Sequence, residues 1–135
     1  MSTISSLFDK YSSEIDIELS IDDINLKEIQ MKLPALKHKW VARLIQHKRE
    51  IEELSRKKEE VITQLIAHSR QESVVTVSDK TLRFQVESTD AVKQATENIK
   101  DLELLVEYIE KIEKIYSSTT YDLKNLIAIK QLELT

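Results

Sequence analysis

The sequence contains no glycine and no cysteine, and these two absences exclude several classes of protein. Phosphate-binding loops and dinucleotide fingerprints need glycine where the backbone approaches the ligand, so neither a nucleotide hydrolase nor a dehydrogenase is expected. Without cysteine there is no disulfide, no thiolate metal site and no cysteine nucleophile, which agrees with a reducing compartment. The sequence also lacks the apolar run of a signal peptide and any window of about 18 apolar residues, so no transmembrane segment is expected.

Proline and aromatic residues are scarce, whereas charged residues are abundant. The 135 residues include one Pro, one Trp, two Phe and four Tyr, and 33% of them are charged. Such a composition, rich in Glu, Lys, Leu and Ile, is typical of long helices. The length predicts one helical domain at residues 21–135, preceded by an N-terminal arm at residues 1–20.

The charge is distributed unevenly along the chain. The formal net charge is −4, yet residues 34–58 contain eight Lys or Arg against three acidic residues. Residues 1–33, 59–88 and 89–135 are each net negative. A local positive block in an acidic chain predicts one surface for an anionic partner.

The spacing of apolar residues predicts a mainly α fold with long coiled-coil-like helices. Residues 14–20 alternate apolar and acidic side chains, which predicts an extended segment, followed by a short helix at residues 22–32. Pro34 predicts the start of a new helix or a kink, and that helix is expected to run to about residue 68. One apolar face of it has coiled-coil spacing. Its residues are Leu36, Trp40, Leu44, Ile51, Leu54, Val61 and Leu65.

The spacing of apolar residues changes after this helix. Residues 73–86 contain the β-branched and aromatic stretches VVTV and LRFQV around the turn-like SDKT, which predicts a small β-hairpin or an extended loop. A heptad-patterned helix follows from about residue 90. The hydroxyl-rich residues 116–122 are expected to interrupt it before a last helix at residues 120–132.

The heptad pattern also predicts a homo-oligomer, because long apolar seams need partner helices. The residues predicted to support oligomerisation are Val92, Ala95, Ile99, Leu102, Val106, Ile109, Leu123 and Ile127.

The basic helix has two interpretations. Its cations do not form one stripe at 100° per residue, and a solvated helix face with ion pairs between neighbouring turns explains part of the pattern. Grooves that bind single-stranded nucleic acid combine Lys and Arg with aromatic rings on which bases stack. Trp40 supplies such a ring, although its place on the apolar face also suits a core residue. The candidate DNA-contacting residues are Lys37, Lys39, Trp40, Arg43, Lys48, Arg49, Arg56, Lys57 and Lys58.

No catalytic site, metal site or cofactor is predicted. The three histidines, at positions 38, 47 and 68, are not spaced three or four residues apart as helical metal ligands would be. No Ser, His and Asp set has a loop context that would activate a nucleophile. The chain is therefore not expected to be an enzyme.

The order of these features resembles the recombination mediators of T-even-type bacteriophages, the UvsY family. The family's "HxKW" or "SKW" signature opens a long basic helix, which corresponds here to LPALKHKWVARLIQHKREIEELSRKKEEV. Its acidic start and heptad helix correspond to ESTDAVKQATENIKDLELLVEYIEKI, and its terminal segment to STTYDLKNLIAIKQL. The resemblance covers about residues 21–132.

This resemblance implies a small non-enzymatic factor in the cytoplasm of an infected bacterial host. Such proteins bind single-stranded DNA and form rings of six or seven subunits. They help a RecA-type recombinase load onto DNA covered by single-strand-binding protein. A structural coiled-coil adaptor or assembly protein with no nucleic-acid role is the alternative interpretation of the same sequence.

The resemblance also assigns roles to particular residues. Lys39 and Trp40 match the family signature, and the cations at positions 48–49 and 56–58 match its basic helix. The family's "KARL" stretch, proposed to touch DNA, is replaced by Ile62, Thr63, Gln64 and Leu65, and its Arg-Gly pair by Thr119 and Thr120. DNA binding is therefore expected to depend on the earlier cations, above all Arg43, Lys48, Arg49, Arg56, Lys57 and Lys58.

Overall fold

The computed structural model describes residues 3–22, 24–72 and 75–134, which form four helices and contain no strand. The helices are α1 (Thr3–Glu18), α2 (Leu26–Glu72), α3 (Asp79–Glu87) and α4 (Asp90–Leu134). The predicted mainly α fold is confirmed. None of these helices is both long enough and apolar enough to cross a membrane.

The chain forms two compact units. The terminal unit consists of Met1–Gln46 and Leu105–Thr135, and the central unit consists of His47–Leu104. The helix α1 belongs to the terminal unit. The boundary expected after residue 20, and the ring-like oligomer, stay predictions.

The helix α1 occupies most of the segment predicted to be extended. Alternating apolar and acidic residues at positions 14–20 favour a strand, yet the helix runs to Glu18 and the Leu19 N–H still donates to the Ile15 carbonyl at 2.9 Å. Helical spacing places Tyr11 and Glu18, seven residues apart, on one face, and Tyr11 is buried. The extended prediction is wrong because the contacts of this face within the terminal unit outweigh the local alternation.

A hydrogen-bonded turn precedes α2. Oδ1 of Asp22 accepts from the backbone N–H groups of Ile24 and Asn25, both at 2.8 Å. The Asn25 side chain returns a bond, because its Oδ1 accepts from the Asp22 N–H at 2.8 Å. These bonds satisfy the backbone donors of the residues just before the helix, and α2 then begins at Leu26.

Proline does not interrupt α2. A proline inside a helix removes one backbone hydrogen bond and costs about 3 kcal/mol. Leu26, Ile29 and Leu33 are buried at helical spacing in the same segment. Full burial of each such side chain contributes about 1.5–3 kcal/mol, which offsets the cost of exposed Pro34. The helix boundary predicted at Pro34, and the separate helix predicted at residues 22–32, are therefore wrong.

The predicted β-hairpin is also wrong. Residues 79–87 form α3, residues 75–78 are non-helical, and positions 73 and 74 lie outside the described residues. The SDKT stretch starts a helix, because Oγ of Ser78 accepts from the Thr81 N–H at 3.3 Å. Leu82 and Val86, four residues apart, are buried on one face of α3. Val86 packs with Ile62 and Val92 in the core of the central unit.

The helix α4 continues through the hydroxyl-rich residues where an interruption was expected. The Thr119 hydroxyl donates to the Ile115 carbonyl at 2.8 Å, and the Thr120 hydroxyl donates to the Tyr116 carbonyl at 2.9 Å. These bonds keep the side chains within the helical pattern instead of competing with it. Tyr116 and Leu123 are buried on either side of the stretch, so packing favours one helix to residue 134.

Candidate nucleic-acid interface

Two cations of the terminal unit, Lys39 and Arg43, are engaged by two carboxylates of α1. Nζ of Lys39 lies 2.6 Å from Oε2 of Glu18 and 3.7 Å from Oε2 of Glu14. The Arg43 guanidinium makes a two-pronged contact with Glu14, whose Oε1 accepts from one terminal nitrogen at 3.2 Å. Glu14 and Glu18 are one turn apart, so both carboxylates face the same stretch of α2.

Trp40 lies at the centre of this cluster and has no exposed surface. Its Nε1–H donates to Oε1 of Glu18 at 3.1 Å, and the Tyr116 hydroxyl donates to the same oxygen at 2.7 Å. The Tyr11 ring packs edge-on against Trp40, with ring centroids 5.3 Å apart. The indole is therefore a core residue of the terminal unit, with both faces and its polar nitrogen occupied.

Cation–π contacts strengthen the same arrangement. The Arg43 guanidinium lies 4.5 Å from the Tyr11 ring centroid and 4.7 Å from that of Trp40. The Lys39 ammonium lies 5.0 Å from the Trp40 centroid. At these distances the ring quadrupole attracts the cation. Lys39, Trp40 and Arg43 together with Glu14, Glu18, Tyr11 and Tyr116 form what we call the α1 clasp.

The electrostatics of the α1 clasp follow from these contacts. The hydrogen bond from Arg43 holds the pKa of Glu14 below its usual range, and the same bond raises the pKa of Arg43. Burial, with a further contribution from the hydrogen bond to Glu18, raises the pKa of Tyr116. Glu14 and Arg43 therefore stay charged and Tyr116 stays neutral around neutral pH, which keeps the clasp intact.

The cations of the central unit are in a different situation. Lys48, Arg49 and Arg56 are exposed, and Lys58 is half-buried. None of these four forms an ion pair with any residue in the described part of the chain. Lys57 makes one exposed pair with Glu53 at 3.3 Å, of the kind that contributes little stability. The central unit thus presents cations that an external anion can reach.

The family is decided by a comparison of the whole sequence. Residues 14–134 match the family model described as recombination, repair and ssDNA binding protein UvsY. The chain belongs to the UvsY family. No curated protein and no solved structure gave a significant match.

For this UvsY-family chain, the structure separates the nine predicted DNA-contacting residues into two groups. Lys39, Trp40 and Arg43 belong to the α1 clasp. Half-buried Lys37 lies in the terminal unit and forms no ion pair within the described residues. The remaining five lie in the central unit and are Lys48, Arg49, Arg56, Lys57 and Lys58. The DNA contacts of all nine stay predictions, and the second group is the better placed to make them.

Residues 62–65, where the resemblance predicts that basic residues are lacking, are divided between core and surface. Ile62 is fully buried in the central unit, and Leu65 packs against the same core. Thr63 and Gln64 are exposed, and the Thr63 hydroxyl donates to the Glu59 carbonyl at 2.9 Å. This stretch contains no Lys or Arg.

The residues predicted to support oligomerisation lie mainly in the interior of this one chain. Val92, Ile99, Leu102, Val106, Ile109 and Leu123 are buried, while Ala95 and Ile127 are half-buried. A heptad spacing describes packing against any helix, whether it comes from the same chain or from another. Their role between subunits therefore stays a prediction.

Sequence reasoning missed the carboxylates that engage Lys39 and Arg43. The available signal was the pair Glu14 and Glu18, spaced by one helical turn, which the extended prediction for residues 14–20 obscured. No group of three or more His, Asp or Glu residues able to hold a metal ion occurs within residues 3–22, 24–72 and 75–134.

Proposed function

We propose that this chain is a non-catalytic recombination mediator. It binds single-stranded DNA as a homo-oligomer of six or seven subunits in the cytoplasm of an infected bacterial host. It helps load a RecA-type recombinase onto DNA covered by single-strand-binding protein. The match to the UvsY family over residues 14–134 supports this role.

The observation that carries the DNA-binding part is the set of available cations on α2 in the central unit. Lys48, Arg49, Arg56 and Lys58 have no carboxylate partner among the described residues. Cations without partners release counterions from phosphates on binding, and this gives affinity without sequence preference. A mediator that must accept any sequence and later release it needs this kind of contact.

Oligomerisation makes weak individual sites sufficient. When one subunit holds the strand, the next subunit binds the same strand at a high effective concentration, so modest contacts add up. The helix α4 leaves Ile115, Leu126 and Ile129 exposed, and at 100° per residue these three fall on one face beside the buried face. We propose that this face, together with the predicted heptad residues, contacts other subunits.

The DNA-binding part is tested by the salt dependence of binding to an oligothymidylate. We expect the logarithm of the affinity to fall linearly with the logarithm of salt concentration, with a slope of about −0.7 for each phosphate contacted. The double variant Lys57→Glu/Lys58→Glu should bind weakly and remain folded. Its matched control is Lys114→Glu/Lys124→Glu, which reverses two exposed cations of α4. Equal affinities for the two variants would exclude the α2 site.

The loading part is tested with a recombinase on DNA already coated by single-strand-binding protein. Adding the chain should shorten the lag before the recombinase hydrolyses ATP, and the Lys57→Glu/Lys58→Glu variant should not. Sizing of Leu126→Glu/Ile129→Glu tests the oligomer, which we expect to dissociate. A chain that oligomerises but is retained only by an acidic polypeptide, and not by single-stranded DNA at matched salt, would instead be a structural adaptor.

A further inference from the structure

A second group of cations lies on α4 in the central unit, outside the basic segment of α2. Lys93 and Lys100 line an open cleft of about 370 Å³ together with Lys58 of α2. Val92, Thr96, Glu87 and Glu97 complete the lining. Lys93 and Lys100 are exposed and Lys58 is half-buried, so the cleft brings three lysine side chains to one accessible place.

The positive charge of this cleft is only partly compensated. None of the three lysines forms an ion pair with another described residue. Of the two carboxylates, Glu87 is bound by Arg83, whose Nε lies 2.7 Å from its Oε1. Glu97 lies within one turn of Lys93 and Lys100, yet in the part of the chain that the structure describes it pairs with neither. The cleft therefore keeps an excess of available positive charge.

The spacing of the lysines suits a ligand with repeated anionic groups. Lys93 and Lys100 are seven residues apart, which puts them on one face of α4 and about 10 Å apart along its axis. The Thr96 hydroxyl between them already donates to the Val92 carbonyl at 2.9 Å, so the lysines are the available donors. A lysine ammonium on a flexible stem binds phosphate as a point charge without demanding a fixed geometry.

We propose that Lys58, Lys93 and Lys100 hold backbone phosphates of a single strand, so that α4 contributes a second row of contacts beside α2. The proposal rests on the single-stranded DNA binding of the proposed function and extends it to α4. Lys58 connects the two rows, because it belongs both to the basic segment of α2 and to this cleft. A continuous strand can therefore pass from one helix to the other.

The test compares Lys93→Gln/Lys100→Gln with Lys114→Gln/Lys124→Gln in the full chain. Both variants remove two exposed lysines of α4 that have no ion pair among the described residues, and only the first pair lines the cleft. Binding to a labelled oligothymidylate is measured by anisotropy across a salt series. We expect the slope to lose about 1.4 in magnitude for the cleft variant, two contacts of about 0.7 each, and to stay unchanged for the control.

A further pair of variants tests the sign of the effect. Glu97→Gln removes the unpaired carboxylate from the cleft and should strengthen binding several-fold. Glu110→Gln removes an exposed carboxylate of α4 in the terminal unit and should leave binding within twofold of the parent. Equal responses of these two variants would show only an effect of net charge and would overturn the proposal that the cleft holds phosphates.

The outcomes separate this proposal from the proposed function. If Lys93→Gln/Lys100→Gln keeps the parent slope while Lys57→Glu/Lys58→Glu loses affinity, DNA binding stands and the α4 row is wrong. If the parent protein does not bind the oligonucleotide in dilute buffer, both the proposed function and the α4 proposal are wrong. If the cleft variant loses retention on polyglutamate but keeps its DNA slope, the cleft serves an acidic protein and the proposal is overturned. Circular dichroism checks that each variant keeps the parent helicity.

Discussion

Lys39 and Arg49 are ten residues apart on α2, yet the Lys39 side chain is ion-paired within the protein and the Arg49 side chain is not. The Lys39 ammonium lies 2.6 Å from a carboxylate of α1 and beside the Trp40 ring. Arg49 is exposed and has no ion pair among the described residues. At Lys39 the positive charge stabilises the terminal unit, whereas at Arg49 it is available to a partner. Net charge over a sequence window does not separate these two cases.

The difference between the units begins in α1. Two of its carboxylates, Glu14 and Glu18, neutralise Lys39 and Arg43, which would otherwise extend the basic surface of α2 toward its N-terminal half. The terminal unit therefore gains an ordered N-terminal helix and loses two candidate phosphate contacts. In the central unit no carboxylate of the described residues pairs with Lys48, Arg49, Arg56 or Lys58 of α2.

The largest expected effect comes from removing the buried indole of the terminal unit. Trp40→Ala leaves a large cavity, and such truncations cost about 3–5 kcal/mol of stability. We expect this loss in urea unfolding monitored by circular dichroism. The control is Met31→Ala, an exposed side chain of the same helix, which should change stability by less than about 0.5 kcal/mol. A small loss for Trp40→Ala would contradict its place in the core.

The next effect concerns the carboxylate that three donors share. Glu18→Ala leaves Lys39, Trp40 and Tyr116 without their common acceptor. Unsatisfied buried donors cost roughly 1–3 kcal/mol, and we expect a loss of that order in the same unfolding assay. Glu28→Ala breaks the exposed pair with Lys32 and should cost no more than about 0.5 kcal/mol. Similar losses for the two variants would show that the clasp is no more than a surface contact.

A crossed experiment addresses the comparison directly. Lys39→Gln/Arg43→Gln should lower stability by about 1 kcal/mol and leave the salt slope of DNA binding unchanged, because both cations bind carboxylates of α1. Arg49→Gln/Arg56→Gln should keep the stability and reduce the slope by about 1.4. Both quantities are measured on both variants. A slope that falls equally in the two variants would mean that Lys39 and Arg43 leave the α1 carboxylates and contact DNA.

The smallest effect appears only at alkaline pH. The pKa of Tyr116 is raised in the folded state, so the hydroxyl holds its proton more tightly in the folded protein than in the unfolded chain. Its contribution is fully present below the ordinary tyrosine pKa of about 10 and is lost as the pH rises above that value. Tyr116→Phe should flatten this part of the stability profile, while Tyr121→Phe, an exposed control, should keep it. Identical alkaline profiles for the two variants would contradict the assignment.

The helical character of the chain could be predicted because it depends on local spacing. The heptad positions of α4 from Val92 to Ile109 follow one face, and the structure buries or half-buries each of them. The continuity of α2 and α4 could not be predicted in this way. Pro34 and the hydroxyl residues near 119 are local interruption signals, and they are overruled by buried neighbours and by bonds to the preceding turn.

The candidate site could be predicted only in part. The basic residues of the central unit were found from composition, but composition counts Lys39 and Lys48 alike. Their difference depends on a contact across more than twenty residues of sequence, between Lys39 and Glu18. The hairpin error has a related cause, because Leu82 and Val86 become a helical face only against the core of the central unit.

Because Trp40 is the only tryptophan of the chain and is fully covered in the terminal unit, the protein contains its own optical reporter. Its ultraviolet emission depends on the groups around the ring, which include Tyr11, Arg43 and Glu18. The proposed DNA contacts are residues of the central unit and none of them belongs to this shell. Titration with oligonucleotide should thus leave the emission maximum in place. A shift to longer wavelength would mean that loading of the nucleic acid undocks the first helix.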